Sequence, residues 1–250
     1  MKKLNIKKTA ILLSILALVL GACCSEEFYY NKALDYEEKG EYEKAIEYLD
    51  KVIIKNPLRI WAYVNRAADK FELSDFQGAI EDYSKVLSID TMLVAGYMGM
   101  ARAYMELKDY STALANYNHA AEKSGFIEME NTVIAFSMGS AVMPNALFKY
   151  DSKYENPFYS ATDIFFERGV AHFFLGNSNL ALRDFEFCLS NEISLKMKGK
   201  CHYWIGHIYL RAGYRAEGCN ELKTAKMLGH SYAEKDYDYY CRGKTRIENE

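Results

Sequence analysis

Hydrophobic positions in this chain fall into two regimes. From Thr9 to Ala22 the sequence is uncharged and dominated by Ile, Leu, Val and Ala, directly behind Lys2, Lys3, Lys7 and Lys8. No second long apolar run follows. Instead, apolar residues recur at the spacing of one helix face. In GEYEKAIEYLDKVIIKNP, residues 40–57, Ala45 is followed by Leu49 and Val52, and Pro57 closes the segment. Such 4 and 3 spacing with a terminal stop signal predicts an amphipathic helix. Only three prolines occur, Pro57, Pro144 and Pro157, which suits long helices rarely interrupted. The Ser74-Asp75-Phe76-Gln77 run and the Ser160/Asp163 pair have the spacing of capping boxes and predict helix starts there. An all-α body is expected.

The leading segment has the layout of a secretory signal peptide. Its apolar run is roughly a dozen residues, short of the ~20 needed to cross the hydrocarbon, so residues 1–22 are expected to be cleaved. Leu20-Gly21-Ala22-Cys23 resembles the lipobox of bacterial lipoproteins. That resemblance implies diacylglyceryl and a third acyl chain on Cys23, a lipid anchor that holds a chain on a membrane without a spanning helix. Cys24 stands where inner-membrane lipoproteins often carry Asp, which points to the outer membrane. Ser25-Glu26-Glu27 resembles the acidic tags that carry some lipoproteins to the surface. Whether the periplasmic or the surface face is occupied stays open.

Stepping from the 40–57 segment reveals a period. The segment resembles the second half of a tetratricopeptide repeat, and counting back places Tyr29, Ala33 and Tyr36 where that family has large, small and large residues. Steps of 34 put Ala67 and Ala79, then Ala101, Ala113 and Ala120, in the small slots. Tyr63, Phe76 and Tyr83, then Tyr97, Tyr104, Tyr110 and Tyr117, fall in large ones. A fourth match over 162–195 has Gly169 and Ala181 small and Phe165 and Phe185 large. A fifth, after three extra residues, has Gly206, Tyr209, Gly218, Leu222 and Ala225. Gly218 stands where Ala is usual, and Gly inside a helix costs about 1 kcal/mol relative to Ala. The resemblance implies a right-handed superhelical α-solenoid of helix-turn-helix repeats, with repeats 1–3 over residues 26–127 and repeats 4 and 5 over 162–232. Hairpins of this kind bury their apolar faces only by stacking, so most of the 21 tyrosines are expected in the packing.

Residues 128–161 interrupt the series as a degenerate repeat or an inserted segment. Within them Thr132 to Met143 reads as an apolar helix ended by Pro144, and Lys149 to Tyr159 as a loop. Residues 233–250 read as a capping helix with an acidic tail.

Charge and candidate chemistry narrow the function. Without residues 1–22 the chain has 27 Lys and Arg against 34 Asp and Glu, a net charge of −7, which argues against nucleic acid as partner. Cys188, Cys201, Cys219 and Cys241 would face an oxidising compartment. Cys188 and Cys201 flank one turn symmetrically and Cys219 and Cys241 the next, so these two pairs are the candidate disulfides; the alternative is four small buried hydrophobes. His119, His172, His202, His207 and His230 show no metal-ligand spacing, and His172 falls in a core aromatic slot. No phosphate-binding glycine loop or nucleophile elbow occurs. No metal, cofactor or catalytic residue is expected, and the chain is not expected to be an enzyme.

The tetratricopeptide resemblance implies that the first helices line a groove receiving a partner protein or peptide. Carried over position by position, the groove residues are Tyr30, Asn31, Trp61, Asn65, Met98, Arg102, Phe166, Tyr203 and His207. Asn31 and Asn65 match the asparagine that often bonds a ligand backbone. Tyr30 and Leu34 stand where the family's carboxylate clamp has Lys and Asn in repeat one, so recognition of a free C-terminal carboxylate by that clamp is not expected. Trp61 is either an exposed anchor or covered by a neighbouring repeat. A lipid-anchored envelope adaptor follows, similar in size and plan to lipoprotein subunits of barrel-assembly and secretin-assembly machines. The competing expectation is a surface lipoprotein capturing a glycan or peptide.

Overall fold

A computed structural model describes residues 25–129, 132–135 and 159–242. The leader with Cys23 and Cys24, residues 136–158 and the tail from 243 lie outside the described residues. Among the described residues are eleven helices: α1 (Glu26–Glu37), α2 (Tyr42–Lys55), α3 (Ile60–Glu72), α4 (Phe76–Ile89), α5 (Val94–Glu106), α6 (Tyr110–Lys123), α7 (Ala161–Phe174), α8 (Ser178–Leu189), α9 (Leu195–Arg211), α10 (Arg215–Met227) and α11 (Ala233–Tyr240). None is long and apolar enough to cross a membrane. Strands β1 (Phe126–Met129) and β2 (Thr132–Ala135) pair antiparallel, with Phe126 opposite Ala135. The helix expected from Thr132 therefore does not form there; Thr132, Val133 and Ile134 favour a pleated backbone over a helix.

The repeat period is written into the backbone. The turn between the two helices of each hairpin holds one residue with positive φ: Gly40 at 71°, Ser74 at 63°, Lys108 at 61°, Gly176 at 81° and Gly213 at 88°. Their spacing reproduces the 34-residue step, with the three extra residues before repeat five. Glycine suits the left-handed region, while Ser74 and Lys108 adopt it at a cost. Ser74 is accordingly not the helix cap. Asp75 is, its Oδ1 accepting from the Gly78 amide at 3.0 Å. At α7 the reciprocal box does form: Ser160 Oγ accepts from the Asp163 amide at 3.2 Å and Asp163 Oδ2 from the Ser160 amide at 3.0 Å.

The chain divides into two compact units, residues 1–103 and 104–250. In the first, α1 pairs with α2 and α3 with α4, and α2 packs on α3. Ala33, Ala45, Ala67, Ala79 and Ala101 are wholly buried, and the small slots let helices approach while Leu49, Tyr63, Tyr83 and Val86 fill the space between. Truncating wholly buried Leu49 to Ala is expected to cost about 2–5 kcal/mol. Ser25 caps α1, accepting from the Phe28 amide at 3.0 Å. Glu26 and Glu27 both reach Arg59 at 3.4 Å. The run read as a surface tag is thus also the folded start of repeat one.

In the second unit α7 pairs with α8 and α9 with α10, and α6 packs directly on α7 as α2 does on α3. The stack passes straight from α6 to α7. Phe165, Phe166, Phe185, Ile205 and Ile208 form its core with Cys188 and Cys201. Gly169 takes a small slot because a Cβ there would lie 2.8 Å from the Phe185 ring. Gly218 is likewise required: its Cβ would stand 2.7 Å from Leu210 Cγ and 2.9 Å from the Gly206 carbonyl oxygen. The cost anticipated for a helical glycine is offset by a backbone-to-backbone approach of α9 and α10 that Ala would prevent.

Cys219 and Cys241 form a disulfide, with Cα atoms 5.6 Å apart, joining α10 to the end of α11. Cys188 and Cys201 are not bonded to each other, contrary to the expected pair; both are free and buried. Cys188 Sγ donates to the Thr162 carbonyl at 3.3 Å. Its hydrogen bond with Cys201 and its burial push the thiol far above the usual cysteine range, so it behaves as a small core residue.

Candidate functional site

The residues assigned to a groove separate into three kinds. Met98 is wholly buried and Phe166 is 6% exposed, packed in the core with its ring 5.7 Å from Phe185. Neither presents a surface to a partner, a correction to the position-by-position transfer. Large apolar residues at those slots are drawn into the hairpin seam. Trp61 is half-buried, packed against the α3/α4 core. Tyr30, 7% exposed, is a wall: the Arg59 guanidinium lies 4.8 Å over its ring. Asn31 is exposed, and Asn65 and Arg102 are half-buried on their helices.

In the first unit Asn65 links neighbouring first helices. Its Nδ2 donates to Tyr30 Oη at 3.4 Å, and its side chain also bonds Glu37. One helical turn further on lies Asp69, 3% exposed, with no hydrogen bond to its Oδ2. Burial, together with the nearby Glu37 and Glu72 charges, raises Asp69 to about 8. Burial raises Glu37 to about 7, against the opposing Asn65 bond. Position counting stopped one turn short of these carboxylates, although Asn65, Asp69 and Glu72 follow each other at 4 and 3 spacing on one face.

In the second unit Tyr203 and His207 converge on one carboxylate. Tyr203 Oη donates to Asp236 Oδ2 at 2.7 Å, and His207 Nε2 lies 3.0 Å from the same oxygen. Tyr203 also stacks on His230, centroids 4.2 Å apart and planes 20° from parallel. A chain of ring contacts runs from Phe173 to Trp204 at 5.0 Å, to Tyr203 at 5.6 Å, then to His207 at 4.6 Å and on to Tyr240 at 5.7 Å. It spans α7, α9 and α11. Sequence reasoning had Tyr203 and His207 but missed Phe173, Asp236 and Tyr240, whose part depends on α11 folding back on α9. The one available signal was the 4-residue spacing of Asp236 and Tyr240, matching that of Tyr203 and His207. Among the described residues no cluster of His, Cys, Asp and Glu is arranged to hold a metal.

A model of the tetratricopeptide repeat matches residues 26–59. Among solved structures, MamA from Desulfovibrio magneticus RS-1 superposes with a TM-score of 0.62 at 13% identity, over 81% of this chain and 94% of its own. A tetratricopeptide repeat protein from Parabacteroides merdae gives 0.54 at 18% identity, over 92% and 76%. A thermophilic protein of the same kind in Thermus thermophilus gives 0.54 at 15%, over 85% and 97%. No curated protein matches. Together with the helical pairs and their buried small residues, these likenesses define the fold as an α-solenoid of tetratricopeptide repeats.

Proposed function

We propose that this chain is a lipid-anchored adaptor of the bacterial cell envelope that holds a partner protein or peptide on the faces of its first helices. The observation carrying the reading is that polar and aromatic side chains on those faces are held by bonds to neighbouring helices. Tyr30 with Asn65, and Tyr203 and His207 with Asp236, are such links. These contacts order a surface that the hairpin cores do not need, which lowers the entropic cost of binding. The signal-peptide layout and the lipobox ending at Cys23 support the tether. Only Cys24 and Ser25 separate Cys23 from α1, so an acylated Cys23 would hold repeat one close to the membrane. The outer membrane is the proposed location.

Crosslinking in intact cells followed by pull-down tests this reading, comparing the native chain with an Asn65→Ala, His207→Ala variant. The adaptor reading expects a protein partner that the variant loses. Capture of no protein by either form would instead favour a surface lipoprotein taking a glycan or peptide. Cys23→Ser is expected to shift the chain from the membrane to the soluble fraction; retention in membranes would overturn the anchor.

A further inference from the structure

A cavity of about 500 Å³ lies in the second unit, lined by Phe173 of α7, His207, Leu210 and Arg211 of α9, Arg215 of α10 and Tyr240 of α11. It is an open cleft with Arg211 and Arg215 exposed, and its volume lies in the range of small-ligand sites. We propose that it is a carboxylate-recognition site, which takes an acidic group carried beside an aromatic or bulky apolar side chain of the bound partner. The proposal rests on the adaptor reading above and names the chemistry of its anchor.

Two guanidinium groups make the case. Arg211 Nη1 donates to the Phe173 carbonyl at 3.2 Å, and Arg215 Nε to the Tyr240 carbonyl at 3.0 Å. Each arginine is therefore aimed by a backbone acceptor on another helix. Among the described residues neither has a carboxylate partner within salt-bridge distance, in a chain where Arg59, Arg66, Arg168 and Arg242 all do. A guanidinium carries five donors, so one bond to a carbonyl leaves the fork free for an anion, and paired N–H groups match a carboxylate. Asp236 is directed elsewhere, its Oδ2 bonded by Tyr203 and His207, and it forms no ion pair with either arginine among the described residues. The Phe173 and Tyr240 rings and the Leu210 side chain supply an apolar body beside the cationic end, which is why a bare anion is the poorer ligand. Arg211 lies one turn beyond His207 on α9 and Arg215 opens α10, both outside the groove positions that the repeat family suggested.

The disulfide completes the site. Tyr240 supplies both a wall and the carbonyl that aims Arg215, and its neighbour Cys241 is bonded to Cys219 on α10. The bond positions the eight-residue helix α11 against the hairpin, so the cavity depends on the oxidised pair.

The test uses the full chain in detergent, titrated with N-acetylphenylalanine, N-acetylphenylalaninamide and inorganic phosphate, and read by NMR shifts of the arginine and aromatic side chains. A fragment of this size is expected to bind with a Kd on the order of 1 mM. The amide and phosphate are expected to bind at least tenfold more weakly, and Arg211→Gln with Arg215→Gln to abolish binding while the melting temperature stays unchanged. Cys219→Ser with Cys241→Ser is expected to weaken the acid several-fold. Acid and amide binding equally, phosphate binding as well as the acid, or glutamine variants that still bind would each overturn the proposal. A peptide ending in Phe, compared with an amidated peptide carrying an internal Glu beside Phe, then separates a chain terminus from an acidic side chain. If the glutamine variant still captures the crosslinked partner that Asn65→Ala, His207→Ala loses, the adaptor stands and the carboxylate site falls.

Discussion

The two units contain the same ion pair in two environments. Arg66 and Arg168 occupy equivalent repeat positions, each sixteen residues before the aspartate it binds, Asp82 or Asp184. In the first unit Arg66 stays partly exposed, shares its charge between Asp82 and Asp50, and sees Lys70 bond Asp82 at 2.8 Å. Burial works against the Arg66 charge, but the two carboxylates hold its pKa above the ordinary arginine value. In the second unit Arg168 is 3% exposed and Asp184 wholly buried, joined by bonds of 2.8 and 2.7 Å. Arg168 also reaches Asn118 on α6 at 3.3 Å. One sequence pattern therefore yields a partly exposed network around a buried aspartate in one place and a fully buried pair in the other. Which outcome follows is set by the neighbours, here the phenylalanines of α7 and α8.

The sharpest way to break that comparison is Asp184→Ala, which removes the two carboxylate bonds of the buried Arg168; urea melts are expected to show a loss of about 3–5 kcal/mol. Replacing both partners, Arg168→Met with Asp184→Leu, is expected to restore most of it. A double replacement as damaging as the single one would mean the pair does more than satisfy itself. The matching change in the first unit, Asp82→Ala, leaves Arg66 its Asp50 bond and is expected to cost less, about 1.5–3 kcal/mol. Equal costs in both units would contradict the reading of environment.

The first unit has its own buried charge problem in Asp69. Its pKa is raised on folding, so the folded state holds a proton that the unfolded chain releases at about 4, and stability falls as pH climbs from there to about 8. Asp69→Asn is expected to raise the melting temperature at pH 8 and to change it little at pH 4. An equal effect at both would sink the protonation argument. Smallest is Lys108→Gly, which relieves a non-glycine residue at φ 61° and is expected to gain about 0.5–1 kcal/mol in thermal melts.

The fold was legible where one residue size decides one contact. Alanines at a 34-residue step reach zero exposure because each sits at a helix crossing, and that requirement is local enough to read. Ser74 misled because hydroxyl and carboxylate capping residues stood side by side, and only the backbone turn shows that the hydroxyl is spent on a left-handed residue. The strand at Thr132 was missed because an apolar run of that length suits helix and strand alike. For the candidate site the limit was different. Tyr203 and His207 were found by counting within one helix, whereas Arg211, Arg215, Phe173 and Tyr240 come together only through four helices and a disulfide. Met98 and Phe166 were misplaced because a family position does not say how large a side chain the seam will draw inward.

The most direct test of partner binding on the first-helix faces is site-specific photo-crosslinking in living cells. A photoreactive residue is placed at Asn31 on α1 and Tyr203 on α9, and in parallel at exposed Glu81 on α4 and Lys223 on α10. The account predicts one common protein partner crosslinked from Asn31 and Tyr203 and not from Glu81 or Lys223. Crosslinks to that partner from the second-helix positions, with none from the first, would contradict it.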